Sequence, residues 1–451
     1  MNTSPRNGLA ADSYSPHNPS AETTGYHRPG DHEGMVSVPL LGQLKTGAWM
    51  TRDRVIGYAT VLLVIDILLL AFFAAGTHGL IVPIEEQTTT SFASFYAAGS
   101  LAADGAPHLA YDQAAHLAAE RAATFPNIAY IYFYYPPVFL LVCVLLGFLP
   151  YLPAFYVFQA VTLPAYLLVA RRTLREAGWA GWVLALAAPA AYWNFGLGQN
   201  GFLTAALFGG ALLLVDRRPV LAGILFGLIC YKPHFGLLIP VALAASGNWR
   251  AFAGATASLL AVALLSLGIF GYETWHDYIA LATGAHGSYE HGLIDPAAFV
   301  TPFGGARLIG IPVPLAYAFQ GLMTAAAGAA VGFVWWRRLS LPVRAATLAS
   351  AALVAVPVAL MYDMLLSTLA IFWLVRAARE AGGFMAWEKT ILAVVFITPA
   401  LSRAVGIETG FPMGPLAQMA LLGVALARTR HEMSGQGDPS TNAAARGAGV
   451  V

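Results

Sequence analysis

The residues best suited to chemistry in this chain gather in one stretch, Gly196 to Pro240. Two polar knots bracket two apolar segments there: Gly198-Gln199-Asn200 and Tyr231-Lys232-Pro233-His234. A charged turn, Asp216-Arg217-Arg218, lies between them. If that turn faces one side of a membrane, both knots face the other. An amide pair, a cation and an imidazole then share one surface, as a site for an anionic, lipid-linked substrate needs. Asp363 stands in a similar place, between two apolar runs at Tyr362-Asp363. Ionisable residues at span ends in an apolar chain tend to be functional. Plainer readings stand beside each. Lys232 snorkels, or pairs with Asp363 for structure alone. Gln199-Asn200 is a connecting turn, and His234 a hydrogen-bonded interface residue. Tyr134-Tyr135-Pro136-Pro137 is a turn with interfacial aromatics, or a wall on which a sugar stacks.

The chemistry that fits these residues is group transfer from a lipid-phosphate donor. A carboxylate must take the proton of the acceptor hydroxyl. Cations or amides must stabilise the leaving phosphate as its charge develops. Lys232, Gln199 and Asn200 suit the second role, and His234, Tyr135 and His291 complete the donor-side candidates. Asp112, Glu85, Glu86 and Asp363 compete for the first, and spacing does not choose among them.

Composition says what must hold these residues in place. Of 451 residues, 58% are hydrophobic and 10% charged, against roughly 25% charged in soluble proteins. The expected class is all-α, a polytopic transmembrane helix bundle. The formal net charge of +1 gives no electrostatic case for nucleic acid. Cys143 and Cys230 lie in apolar runs and read as buried thiols, and no Cys/His cluster has metal-ligand spacing. No cofactor is expected.

The basic turns set the register by the positive-inside rule. Residues 1–50 read as a disordered cytoplasmic tail without a signal peptide, 51–427 as the membrane domain, and 428–451 as a second cytoplasmic tail. A first outer loop is expected near 77–135 and a second near 271–311, which holds His286 and His291. Within the first, Phe92 to Ala103 is apolar enough to lie on the membrane surface, and Asp112 to Ala123 reads as a short helix. Residues 136–170 read as one crossing plus a half-helix. In all, about twelve spans are expected, several shorter than the roughly 20 residues a straight span needs. Both termini then lie inside, and nearly every polar knot faces outward from the cytoplasmic (inner) membrane.

Several of these pieces recur in a known order: Phe92-Ala93-Ser94-Phe95-Tyr96-Ala97-Ala98-Gly99, Ala110-Tyr111-Asp112, Tyr135-Pro136-Pro137, Pro150-Tyr151-Leu152-Pro153, Gly198-Gln199-Asn200-Gly201-Phe202-Leu203, Tyr231-Lys232-Pro233 and Tyr362-Asp363. In that order the chain resembles the multispanning glycosyltransferases of family 87, of the GT-C fold type. The resemblance implies a transferase using polyprenyl-phosphate sugars, mannose in the best-known members, with an envelope lipid or glycan as acceptor. It implies a long first outer loop carrying the catalytic aspartate, and work without a bound metal. The aspartate that family members usually place directly before the first motif is Ser91 here. A serine hydroxyl is no base at neutral pH without an activating group. Either another carboxylate has taken the role, or the reaction differs, or transfer is lost. Two further readings therefore stay open: a transporter or flippase, and a non-catalytic binder of a lipid-linked sugar. Asp66 is the clearest ionisable residue inside a span.

Overall fold

The computed structural model describes residues 40–76, 91–284 and 294–436. Among them the regular structure is helical, apart from one isolated bridge between Phe299 and Leu360. The first helices are α1 (Leu40–Thr46), α2 (Arg52–Gly76), α3 (Phe92–Ala103), α4 (Gln113–Ala123), α5 (Pro137–Gly147) and α6 (Tyr151–Thr173). The middle of the chain forms α7 (Ala180–Leu186), α8 (Pro189–Leu197), α9 (Gly201–Leu214), α10 (Pro219–Gly227), α11 (Ile239–Ala245) and α12 (Trp249–Gly284). The remainder forms α13 (Pro302–Leu308), α14 (Val313–Trp336), α15 (Leu341–Val354), α16 (Leu365–Glu380), α17 (Glu388–Thr409) and α18 (Met413–Gln436).

Among the described residues, six helical segments are long and apolar enough to cross a membrane: Arg52–Phe72, Tyr151–Thr173, Trp249–Gly284, Val313–Trp336, Met361–Glu380 and Glu388–Thr409. The other expected spans fall on shorter helices, α7 to α11 and α15, or on α18. The chain is a helical membrane protein. Of the long segments, that of α16 is central, with most of its residues buried inside the protein, whereas α2 lies on the outside.

Helix breaks follow the local chemistry. Pro137, Pro189 and Pro219 each open a helix at its first turn, where the missing N–H costs nothing. Gly198 ends α8 in the left-handed region at φ 64°. Gly271, at φ 80°, kinks α12, which runs on well past the expected span end.

The basic turns gather at one end of the bundle. Arg344 pairs with Asp216, Asn248 Nδ2 donates to the Val215 carbonyl, and Arg338 donates to the Ser246 carbonyl. Glu432 accepts from both the backbone N–H and the hydroxyl of Ser340. Buried Arg428 pairs with buried Glu388. With the Glu432–Ser340 contacts, that pairing ties down part of α18, which continues to Gln436 through the segment read as a tail. α1 docks at the same end, where Trp387 N donates to Lys45 O and Thr390 Oγ1 to Leu44 O.

One expectation needs correcting. α3 does not lie on a membrane surface, because most of its residues are buried against α5. A Cβ on Gly99 would stand 2.0 Å from the Cys143 carbonyl oxygen, and one on Gly147 would stand 2.4 Å from the Gly99 carbonyl oxygen. Two glycines let the backbones touch, so an apolar stretch is absorbed into the protein. α4, by contrast, forms as the sequence predicts, with Asp112 as its N-cap.

Candidate active site

Three helix breaks meet at the end of the bundle away from the basic turns. The first is the Lys232 turn. Pro233 biases the preceding residue away from helix, and Lys232 sits at φ −125°, ψ 71° between 3-10 turns Leu228–Tyr231 and Pro233–Gly236. The second is the 3-10 turn Met361–Met364 that opens α16. The third is the Gly198-Gln199-Asn200 link from α8 to α9. There the Gly198 and Gln199 N–H groups bond back to the Phe195 and Asn194 carbonyls, closing the helix in the usual glycine-capped way.

Lys232 and Asp363 form a buried ion pair, Nζ to Oδ1 at 2.7 Å, with side chains only 4% and 5% exposed. The second carboxylate oxygen accepts the Leu360 N–H at 3.0 Å, so Asp363 also caps its own turn. The ammonium lies 5.5 Å from the Phe235 ring centre and 5.2 Å from that of Tyr362. A lysine so placed is fixed on three sides by a carboxylate and two aromatic faces. Its ammonium has three N–H donors, and the bond to Asp363 uses one.

The Gln199 turn packs onto this pair. A Cβ on Gly201 would stand 2.8 Å from the Tyr362 carbonyl, and one on Gly198 2.5 Å from Phe92 Cβ. Ser91, at the N-cap of α3, is therefore one residue from the turn. The Asn200 carbonyl accepts from Thr204 Oγ1 at 3.2 Å and from Tyr231 OH at 3.4 Å. The Tyr135 hydroxyl lies beside the Asn200 side chain, within the field of Asp363. Its ring packs on Phe95 and Phe139, and Phe139 stacks on Tyr231 at 5.1 Å. His234 is half-buried on Phe235, in the fields of Lys232 and Asp363. Tyr135, Gln199, Asn200, Lys232, His234 and Asp363 thus form one cluster.

The remaining candidates are elsewhere. Asp112 is exposed and accepts the Ala115 N–H at 2.8 Å as the cap of α4. No described contact joins it to Lys232 or Asp363. Glu85, Glu86, His286 and His291 lie outside the described residues. Among the described residues no group of three or more His, Cys, Asp and Glu side chains is arranged to hold a metal.

At 1.5 Å per residue, α9 rises roughly 21 Å from the basic end, short of the roughly 30 Å of a bilayer's hydrocarbon core. Non-helical backbone within a membrane bundle is tolerated where it is enclosed by protein or lines a wet cavity.

Sequence reasoning passed over two features. Buried His116 and Glu120 pair at 3.4 Å on α4, and Glu120 also accepts the Ile131 N–H at 3.2 Å. They hold the extended chain that carries Tyr135. Tyr111 helps, donating to the Tyr135 carbonyl at 3.0 Å. Burial, with Cys143 and Tyr278 adding to it, pushes the Tyr111 phenol well above its usual range, so it stays a neutral donor. The signal was the i, i+4 spacing of His116 and Glu120. The other feature is Gln159, a fully polar amide inside the apolar span α6 and buried there.

A family model described as Glycosyltransferase family 87 matches residues 133–361, just over half of the chain. The matched region contains Tyr135, Gln199, Asn200, Lys232 and His234, and stops two residues before Asp363. No curated protein and no solved structure matches the chain.

Proposed function

This chain belongs to glycosyltransferase family 87, and from that membership we propose that it moves a hexose, mannose first among the candidates, from a polyprenyl-phosphate donor to an envelope lipid or glycan. We place the reaction on the outer face of the cytoplasmic membrane, with both termini inside and a GT-C arrangement of spans. The observation that carries this reading is the buried Lys232–Asp363 pair at the meeting of three helix breaks.

The roles follow from charge. The acceptor oxygen attacks the anomeric carbon as the bond from that carbon to the phosphate oxygen breaks. The phosphate gains a negative charge as it leaves, and Lys232 is the cation set to receive it. A fixed cation in a dry site stabilises such charge at little reorganisation cost. The proton of the acceptor hydroxyl goes to a carboxylate. Of Glu85, Glu86, Asp112 and Asp363, the last is placed first because it adjoins Lys232. Tyr135 and His234 border the donor, and Gln199 and Asn200 contact it.

One observation favours movement of a lipid-linked substrate instead. Asp66, within the long apolar helix α2, has a buried carboxylate oxygen without a protein partner. Intramembrane carboxylates mark transport paths in many carriers.

Purified protein in lipid, given labelled polyprenyl-phosphate mannose, glucose and other hexoses with an envelope-lipid extract, separates these readings. Labelled product with release of polyprenyl phosphate supports transfer. Substrate crossing the bilayer with no product supports the carrier.

A further inference from the structure

Buried amides around the α8–α9 turn lack partners that a folded protein ordinarily provides. Both polar atoms of Gln159, Oε1 of Gln199, Nδ2 of Asn194 and Oδ1 of Asn200 are buried with no hydrogen-bond partner within the protein, while the Asn200 amide nitrogen faces the Tyr135 hydroxyl. Asn200 is 0% exposed and Gln159 is 2% exposed. A buried polar atom left without a hydrogen bond is destabilising. Four such side chains in one neighbourhood call for a common cause.

They do share a neighbourhood. Asn194 reaches across the turn, its Oδ1 accepting the Gly201 N–H at 2.6 Å. Gln159 belongs to the stripe Phe155, Gln159, Thr162 and Tyr166, all on one face of α6. Phe155 lies against Gly198, where a Cβ would come within 2.9 Å of its ring. Tyr166 stacks on Phe202 at 5.4 Å. Gln159 is a buried residue of α6 between those two contacts. The turn also lies against the Tyr362 carbonyl, next to Asp363.

The orphaned atoms include amide donors as well as acceptor oxygens, a mixture that hydroxyl groups can meet on both sides and a phosphate only on one. Gln159, Gln199 and Asn200 each present an unpartnered carbonyl oxygen. Gln159 has both ends unpartnered, so turning that amide over changes nothing. Acceptor oxygens are not satisfied by a phosphate diester, which brings no donor. They are satisfied by hydroxyl groups, which donate and accept. We propose that Gln159, Gln199 and Asn200, with Asn194 behind them, form a pocket for the hydroxyls of the donor's sugar ring, while Lys232 takes the phosphate. This rests on the transferase reading above. It adds Gln159, a residue of a membrane span, as a determinant of sugar specificity, and moves Gln199 and Asn200 from the phosphate to the sugar.

The test compares two probes: polyprenyl phosphate without a sugar, and polyprenyl-phosphate mannose. Their affinities are measured for wild type, Gln159→Leu and Lys232→Met in lipid nanodiscs. Wild type is expected to bind the sugar-bearing probe at least tenfold more tightly. Gln159→Leu is expected to lose that preference, about tenfold or 1.4 kcal/mol, while binding the bare phosphate as before. Lys232→Met is expected to weaken both. A Gln159→Leu protein that keeps the preference, or loses both probes equally, overturns the pocket. Should that variant fail to fold, wild type is titrated with deoxy-sugar donors. Deoxygenation that costs no affinity overturns the proposal equally. Wild type that binds bare phosphate as well as donor overturns the pocket and leaves the phosphate site standing. Wild type that binds neither probe removes the transferase reading and the pocket together.

Discussion

At the scale of single residues, the Lys232–Asp363 pair does two jobs that a double substitution can separate. Both groups are buried. Removing either leaves the other charge uncompensated, at a cost of about 3–5 kcal/mol. Lys232→Met and Asp363→Leu are each expected to lower the thermal unfolding temperature strongly. The double variant is expected to recover most of that loss, because a buried pair replaced by apolar groups is often neutral. Activity is not expected to return with stability, since the apolar pair cannot meet a phosphate. Unfolding in nanodiscs, read beside transfer rates, checks this. A double variant that regains activity would make the pair purely structural. Both residues were visible in the sequence as charges at the ends of apolar runs. Their contact was weighed there only as the plainer alternative, because 131 positions separate them. Gln159 was missed because one amide in an apolar run changes hydropathy little, and the meaning of that amide lies in what it faces.

At the scale of elements, short helices and their breaks build the site. Pro233 and Gly198 announce two of those breaks in the sequence, and the structure has them at the same positions. The aromatic run before Pro136 reads in the sequence as an interfacial turn, and its extended path along α4 comes only from the structure. The burial of α3 was not, since an apolar helix reads the same whether it meets lipid or protein. What decides it is the closeness of Gly99 and Gly147 to the facing backbones. Gly99→Ala is therefore expected to push α3 off α5, at about 1–3 kcal/mol for overpacking. Because Phe92 of α3 backs Gly198, transfer should fall by more than the lost folded fraction explains. Activity per folded molecule, from quantitative unfolding, is the check. An unchanged specific activity would separate α3 from the site. The first-loop carboxylates belong to this scale too. Asp112 caps α4, so Asp112→Asn, which still caps a helix, is expected to keep most of the activity.

At the scale of the whole molecule, the two ends of the bundle divide the labour. One end is laced by Arg344–Asp216, Ser340–Glu432 and Arg428–Glu388. The other carries the broken helices and the polar cluster. The basic turns foretold which loops would share an end, because charge bias acts on each turn separately. The number of spans was less legible. Helices of nine to fourteen residues, such as α9, α10 and α15, carry as much apolar character per residue as full spans. Arg428→Ala should strip the partner from Glu388, which is 1% exposed, and cost about 3–5 kcal/mol of stability. Donor affinity per folded molecule should stay as in wild type, because the change lies at the laced end. A fall in affinity without a fall in stability would mean that the two ends are coupled.

The most direct measurement is transfer by wild type and Lys232→Met side by side, with labelled polyprenyl-phosphate mannose, an envelope-lipid acceptor pool, and folded protein quantified in each sample. The expected result is labelled product and released polyprenyl phosphate from wild type, and a rate lower by about 10²–10³ from Lys232→Met. A folded Lys232→Met protein that transfers sugar at the wild-type rate would contradict the assignment of the phosphate to this lysine.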